Sequence, residues 1–229
     1  MPNILITGCN KGIGLALVEK YLAEDWHVYA TARKPDEASA LLALQSNPHL
    51  HIYKLDVGND IQRKTLESEL DGIPLDILLN NAGIWGQMGA TFESTDEKQW
   101  LEGFRINTIA PMQMMQAFAK NVAASELKIM ANMSSKMGSI NDNGSGSRYV
   151  YRSTKTALNM ISKSAAIDLK TRGISVVILH PGWVCTDMGG AYGEINTQQS
   201  AQALHSILDQ VTLADSGTFY DIDGSTIAW

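Results

Sequence analysis

Cysteine is scarce in this sequence, which has only Cys9 and Cys185 among its 229 residues. Two distant thiols form neither a disulfide framework nor a cysteine-based zinc pattern, which argues against a disulfide-stapled secreted fold and a zinc module. The five histidines show no metal-ligand spacing, so no metal site is predicted. Two reduced thiols are typical of a cytoplasmic protein, and we expect that localisation.

Long hydrophobic runs and clusters of basic residues are also missing. No stretch of about 18 apolar residues is present, so we expect no transmembrane helix and no membrane partner. The sequence does not begin with a basic region and a long apolar core, so no secretory signal is expected. The net charge is −6, and the Lys and Arg residues form no block of the kind that binds nucleic acid. We predict one globular domain over residues 1–229.

Short apolar runs alternate with helical patterns along the whole chain. The strands are predicted at 3–8, 27–33, 51–57, 75–80, 128–133, 174–180 and 217–222. The helices are predicted at 13–23, 35–44, 60–70 (with Asp60 as a cap), 96–124 (with Pro111 near a local start), 151–173 and 197–208. This alternation predicts an α/β, doubly wound (Rossmann-type), mostly parallel sheet of about seven strands with helices on both faces. Ligands of such sheets bind beyond the carboxyl ends of the strands.

Three glycines, Gly8, Gly12 and Gly14, follow the first predicted strand. Glycines let the backbone turn tightly and approach a ligand closely, and the N–H groups at the start of the next helix attract phosphate. Their spacing is Thr-Gly-x-x-x-Gly-x-Gly and differs from the common Gly-x-Gly-x-x-Gly pattern. The alternative is a plain turn between strand and helix. We favour a nucleotide-binding loop.

Tyr151 and Lys155 are four residues apart in a predicted helix, so their side chains lie on one face. A free phenol has a pKa near ~10, and a neighbouring ammonium lowers it. The pair is therefore a candidate proton donor or acceptor, whereas Tyr149 has Ser153 at the corresponding position. By itself, such a pair is more simply explained as an exposed helix surface.

Five motifs occur in a fixed order along the chain. They are the glycine loop, Asn80-Asn-Ala-Gly83, Ser135, Tyr151-Arg-Ser-Thr-Lys155 and Pro181-Gly182-Trp-Val-Cys-Thr186. In these motifs almost the whole sequence resembles the short-chain dehydrogenase/reductase family. The Gly-Cys-Asn-Lys-Gly-Ile-Gly loop and residues 219–229 more narrowly resemble its C-factor and sniffer-like carbonyl reductase branch.

The resemblance implies four catalytic residues. Tyr151 would be the acid/base, Lys155 would lower its pKa and bind the nicotinamide ribose, and Ser135 would bond the substrate oxygen. Asn107 would support a proton relay, unless it is an ordinary helix-surface amide. Ser134 competes for the serine role, but the family pattern Ser-x-x-Gly selects Ser135.

Ser135 and Tyr151 lie further apart in the sequence than is commonest in the family. The polar loop 141–147 can absorb the extra length at little cost, and we expect this loop to be mobile and to shape the substrate entrance.

The resemblance also implies a dinucleotide site. Its residues would be Gly8, Asn10, Lys11, Gly12, Ile13, Gly14, Arg33, Asp56, Val57, Asn81, Ala82, Gly83, Tyr151, Lys155, Pro181, Gly182, Val184 and Thr186. No acid ends the second predicted strand, and Arg33 there can hold a 2′-phosphate by bidentate bonds, with Lys11 as a second charge. The two cations favour NADP(H) over NAD(H), although both can also be solvated surface residues. Asp56 is either an adenine contact or a strand-end cap.

The function implied is an NADP(H)-dependent oxidoreductase that reduces an aldehyde, ketone or quinone to an alcohol. The alternatives are an NAD(H)-dependent alcohol dehydrogenase and a C-factor-like signalling or regulatory protein with little turnover. Either enzyme would act on a small molecule, and relatives commonly form a homodimer or homotetramer.

Several residues near the last motif have two interpretations. We expect a short substrate lid at 187–196. Trp85, Met88 and Trp183 are candidates for apolar substrate walls, although core or lid packing explains them equally well. Cys185 is interpreted as an inert, small apolar residue.

Overall fold

The computed structural model describes residues Met1–Trp229 and is built around one sheet of seven parallel strands. The strands are β1 (Asn3–Ile6), β2 (His27–Ala32), β3 (Leu50–Lys54), β4 (Ile77–Asn80), β5 (Ile129–Met133), β6 (Ser175–Leu179) and β7 (Phe219–Tyr220). Their order is β3-β2-β1-β4-β5-β6-β7, and every pairing is parallel. The order reverses between β1 and β4, where sheets of this kind form a ligand crevice.

Helices cover both faces of the sheet. They are α1 (Gly12–Ala23), α2 (Ser39–Leu42), α3 (Asp60–Glu69), α4 (Glu97–Phe104), α5 (Ala110–Ala123), α6 (Tyr149–Asp168) and α7 (Thr197–Leu208). Side chains alternate along a strand, so Ile4 and Ile6 of β1 pack with α1 and α7, whereas Leu5 packs with α3, α5 and α6. The predicted doubly wound fold is confirmed. None of the helices combines the length and the apolar character needed to span a bilayer.

Two predicted helices have different boundaries in the structure. The predicted helix 35–44 is a 3₁₀ turn at Pro35–Glu37 followed by the four-residue α2, because Ala38 between them has non-helical dihedrals (φ −89°, ψ 64°). The cap of α3 is Asn59, whose side chain accepts a hydrogen bond from the Gln62 N–H at 3.1 Å. The prediction of Asp60 as the cap was therefore wrong by one residue.

The long predicted helix 96–124 contains a π-helical turn. Arg105–Ile109 forms this turn between α4 and α5, and Pro111 lies in the first turn of α5 as predicted. The turn buries Asn107 completely. Helix α6 begins at Tyr149, two residues before the predicted start, and still carries Tyr151 and Lys155 on one face.

Candidate active site

The glycine loop between β1 and α1 is shaped for a close ligand. Gly8 and Gly12 have φ values of +75° and +62°, and a Cβ on Gly14 would lie 2.2 Å from the Gly8 carbonyl oxygen. Helix α1 has no side-chain cap, and the N–H groups of Gly12, Ile13 and Gly14 donate to no group of the chain. Free N–H groups at a helix start are the partners that a phosphate takes, so these residues fit a dinucleotide pyrophosphate.

Asn81 fixes the glycine loop against the end of β4. Its Nδ2 donates to the carbonyl oxygens of Thr7 (2.9 Å) and Gly8 (3.2 Å). In return, the Thr7 hydroxyl accepts from the N–H groups of Asn81 and Ala82, each at 3.0 Å. The side chain of Asn81 is therefore committed to holding the loop in place.

A cavity of 760 Å³ runs across the carboxyl ends of the strands. The predicted dinucleotide residues that line it are Gly8, Asn10, Lys11, Gly12, Ile13, Gly14, Arg33, Asp56, Val57, Asn81, Ala82, Gly83, Tyr151, Lys155, Pro181 and Thr186. Gly182 and Val184 do not line this cleft. Val184 is buried and pairs with Ile195, and a Cβ on Gly182 would also meet Ile195. These two residues therefore pack against Ile195, outside the layer of residues that lines the cleft.

One end of the cleft is charged. Arg33 lies there with Arg105 and Glu102, and the Arg105 guanidinium donates to both Glu102 carboxylate oxygens at 2.6 Å. The hydrogen bonds and charge of Arg105, with a smaller contribution from Arg33, hold the pKa of Glu102 below its usual range. Asp56 lines the cleft and also accepts from the Gly58 N–H at 2.9 Å, so it caps the strand end as well.

Sequence reasoning missed Glu102 and Arg105, because they belong to α4 and the π turn and are remote in sequence from the glycine loop. Their spacing of three residues in a helical pattern was the only available signal.

The sequence suggested that Lys11 is a free cation, but in the structure it has an acidic partner. Its ammonium group forms an ion pair with Asp187 from the segment after β6, and both side chains are exposed at the cleft. The hydrogen bond from Lys11 and its charge lower the pKa of Asp187. A phosphate that binds Lys11 must therefore compete with this carboxylate.

Tyr151 and Lys155 lie side by side in the other half of the cleft, with only 8% and 4% of their surfaces exposed. The Lys155 Nζ is 5.7 Å from the Tyr151 ring centre and donates to the Met133 carbonyl oxygen at 2.7 Å. Burial lowers the pKa of Lys155 to about 8.

Burial raises the pKa of Tyr151 to about 12, while the nearby Ser135 hydroxyl acts in the opposite direction. We expected the neighbouring ammonium to lower this pKa, but desolvation dominates in the chain itself. Tyr151 therefore carries its proton at neutral pH.

The two neighbouring serines have different partners. Ser134 belongs to the cleft wall, and its buried hydroxyl donates to the Asn159 Oδ1 at 2.5 Å. The Ser135 hydroxyl is the one beside Tyr151, and it also accepts from the Met137 N–H at 3.2 Å. Ser134 lines the cleft and Ser135 does not, but the hydroxyl of Ser134 is already committed to Asn159, so the choice of Ser135 stays a prediction.

Asn107 holds the backbone of the segment that follows β4. Its Oδ1 accepts from the Ile84 N–H and its Nδ2 donates to the Ile84 carbonyl oxygen, both at 2.8 Å. Nδ2 also donates to the Thr154 hydroxyl of α6 at 3.1 Å. The residue is therefore buried, not the helix-surface amide of the alternative interpretation, and it does not line the cleft.

Aromatic and sulfur-containing side chains surround the Tyr151 end. Trp85 stacks on Tyr151 with ring centres 4.5 Å apart and planes at 19°, and Met88 lines the same wall. Trp183 does not line the cleft, because its indole N–H is turned to the Gly189 carbonyl oxygen. Cys185 lies exposed on the cleft wall, with Sγ 3.1 Å from the Gly193 carbonyl oxygen.

The model of the short chain dehydrogenase family matches residues 2–196. The chain belongs to this family. It is 35% identical over 156 residues to the C-signal protein of Myxococcus xanthus, a match that covers 68% of this chain and 93% of that protein.

Two solved structures in particular resemble this one along its whole length. The carbonyl reductase Sniffer of D. melanogaster superposes with a TM-score of 0.94 at 31% identity, and both chains are covered completely. An NADPH-bound carbonyl reductase from chicken fatty liver gives a TM-score of 0.92 at 32% identity, with 100% of this chain and 99% of that one covered. The chain is thus a member of an oxidoreductase family, in its C-factor and sniffer-like branch.

Proposed function

We propose that the protein is an NADP(H)-dependent oxidoreductase that reduces the carbonyl group of an aldehyde, ketone or quinone to an alcohol. The observation that carries this proposal is the buried, protonated Tyr151, which lies beside Lys155 and near Ser135 and lines the same cleft as the glycine loop. Such a cleft holds a dinucleotide and a proton donor within reach of one another.

The chemistry follows from charge development on the substrate. A bound NADPH would supply a hydride to the carbonyl carbon, and negative charge then builds on the carbonyl oxygen. The hydroxyl groups of Ser135 and Tyr151 donate hydrogen bonds to this oxygen and stabilise it. Tyr151 transfers its proton to complete the alcohol, and the ammonium of Lys155 stabilises the phenolate that remains. Asn107 acts by holding Ile84, and with it the wall of the cleft, in position.

The cofactor preference is proposed from the charged end of the cleft. Arg33 follows β2, where an NAD-selecting site would place an acid, and a 2′-phosphate suits its planar guanidinium. The similarity to a carbonyl reductase described as NADPH-bound supports this choice.

Fluorescence titration of the wild type and Arg33→Ala with NADPH and NADH tests the preference. We expect the NADPH affinity to fall at least about tenfold and the NADH affinity to change little. Tighter NADH binding, with no effect of the substitution, would support an NAD(H)-dependent alcohol dehydrogenase instead.

Turnover is tested by NADPH consumption over a panel of quinones, diketones, aldehydes and ketones. Tyr151→Phe should lower kcat by about 10²–10⁴-fold and leave NADPH affinity unchanged, because only the transferred proton is lost. Equal turnover of the two proteins would contradict the assigned role of Tyr151.

A second candidate function is a dinucleotide-binding signalling or regulatory protein with little turnover. The 35% identity to C-signal favours this alternative. Tight NADPH binding with no consumption over the entire panel would select it.

The assembly in which either function operates is also a proposal. Exposed apolar side chains on α6, Met160 and Ile167, support a homodimer or homotetramer built from residues 1–229 as one unit in the cytoplasm. Light scattering should then give at least twice the chain mass of 25.0 kDa.

A further inference from the structure

Two cations bracket two stacked aromatic rings at the Tyr151 end of the cleft. The Lys155 Nζ lies 5.7 Å from the Tyr151 ring centre, Tyr151 stacks on Trp85, and the Arg148 guanidinium carbon lies 5.9 Å from the Trp85 ring. The indole ring of Trp85 therefore separates Arg148 from Tyr151, the proposed proton donor. Lys155 is assigned a role in the proposed reaction, whereas Arg148 is not.

Arg148 has no anionic partner in the protein. It is exposed, and none of the ion pairs of the chain includes it or its neighbour Arg152. Arg152 donates only to the Gly146 and Met137 carbonyl oxygens and to the Ser145 hydroxyl. This part of a protein with net charge −6 thus carries two uncompensated positive charges.

Two features, one of the backbone and one electrostatic, make an arginine costly at position 148. Ser147 and Arg148 both adopt the left-handed backbone conformation, with φ values of +51° and +56°, at a cost of about 1–2 kcal/mol per residue. Arg148 also precedes the first turn of α6, where the helix dipole disfavours positive charge and where no acidic residue compensates. An anionic ligand would offset the electrostatic part of this cost.

Exposed apolar side chains flank the same end of the cleft. Met88 and Phe92, on the loop after β4, are 74% and 78% exposed; Phe92 lies against Tyr149 at the start of α6, and Met188 on the loop after β6 also lines the cleft. Apolar side chains exposed together mark a surface that a ligand covers. The faces of Trp85 are taken by Tyr151 and Arg148, so its half-buried ring edge is the part that suits a conjugated ring system, in an edge-to-face contact.

We propose that the substrate is a planar, conjugated carbonyl compound that carries an anionic group. Its ring system packs beside Trp85, its carbonyl oxygen meets Ser135 and Tyr151, and its anion pairs with Arg148. This inference rests on the proposed carbonyl reduction and specifies the class of substrate.

The test compares two substrates that differ in charge, 6-formyl-2-naphthoate and its methyl ester. We expect the wild type to reduce the acid with a kcat/KM about tenfold above that of the ester, as one charge-assisted contact predicts. The difference should reside in KM, because the contact is the same in the ground state and the transition state. It should shrink in 0.5 M NaCl, because salt screens exposed charges.

Arg148→Gln should bring the ratio of acid to ester close to one, and Arg148→Lys should restore part of the preference. Arg148→Gly provides a second neutral variant that also relieves the left-handed backbone, so it should fold at least as well as the wild type. Lys170→Gln, at the opposite end of β6, removes the same charge from an exposed position and should leave the ratio unchanged.

Equal reduction of acid and ester by the wild type, or an unchanged ratio in both neutral Arg148 variants, would overturn the substrate class. Either result would leave carbonyl reduction itself intact. Failure to consume NADPH with any carbonyl of the wider panel would overturn the proposed function and this inference together.

Discussion

The two ends of the cleft are built in different ways. The glycine-loop end is made of backbone, with Gly14 pressed against the Gly8 carbonyl and Asn81 bonded to the same loop. The Tyr151 end is made of side chains, with Tyr151 and Lys155 on α6 and with Trp85 and Arg148 on irregular segments. A site made of backbone tolerates little change, whereas loop side chains vary without disturbing the fold. Substitutions are therefore expected to be tolerated less well at the glycine-loop end than at the Tyr151 end.

The comparison is tested most severely by adding one methyl group to each end. Gly14→Ala places a Cβ 2.2 Å from the Gly8 oxygen, so the loop must shift. We expect NADPH affinity to fall about a hundredfold and stability to fall by about 2 kcal/mol. Gly144→Ala, in the loop 141–147, adds its Cβ in open space and should change stability by less than about 0.5 kcal/mol. Fluorescence titration and thermal melts measure both.

Similar losses in the two alanine variants would show that the glycine-loop end is no more constrained than the loop beside Tyr151. The difference between the two ends would then disappear.

The second prediction concerns the buried charge at the Tyr151 end. The pKa of Lys155 falls from 10.5 in the unfolded chain to about 8, so charging this group opposes folding. The penalty is complete below pH 8 and vanishes above pH 10.5. Lys155→Met should therefore abolish turnover yet stabilise the fold at pH 7, on the order of 2 kcal/mol after the lost bond to Met133 is counted.

Thermal melts at pH 7 and pH 10.5 check this result, because the gain should shrink at the higher pH. Lys170→Met is the matched control, since its side chain is exposed. A Lys155→Met variant less stable than the wild type at pH 7 would refute the assigned penalty.

The smallest predicted effect concerns the ion pair that joins Lys11 of the glycine loop to Asp187. Asp187→Asn frees Lys11 from its ion pair, and NADPH affinity should rise about two- to threefold at low ionic strength. NADH, which lacks the 2′-phosphate, should bind as before, and the gain should vanish in 0.5 M salt. Asp168→Asn, at the far end of α6, is the charge-matched control. Equal gains for the two cofactors would mean that Lys11 does not select the phosphate.

The same contrast explains what the sequence could predict. Glycine spacing and the i, i+4 relation of Tyr151 and Lys155 are local features, so both could be predicted from the sequence alone. The alternation of strands and helices likewise predicted the sheet, because burial spaces the apolar residues with the period of each element. The exact residues at which helices begin and end could not be predicted, as the non-helical Ala38 and the cap Asn59 show, because neighbouring residues are equally good candidates.

Features that depend on tertiary contacts could not be predicted. The pairing of Lys11 with Asp187 joins residues 176 positions apart, and the stacking of Trp85 on Tyr151 depends on an irregular loop. The pKa of Tyr151 moved in the opposite direction to the expected one, because the depth of burial cannot be read from a spacing of four residues.

The π turn at Arg105–Ile109 has a consequence for changes in chain length. One residue more than an α-helical turn rotates everything that follows by about 100° around the helix axis. Because of that rotation, the continuous helical segment of α4, the π turn and α5 places Asn107 against Ile84 and also packs Phe118 of α5 in the core. Removing a single residue from the turn would put these two directions out of phase, whereas the loop 141–147 can change length without turning any helix.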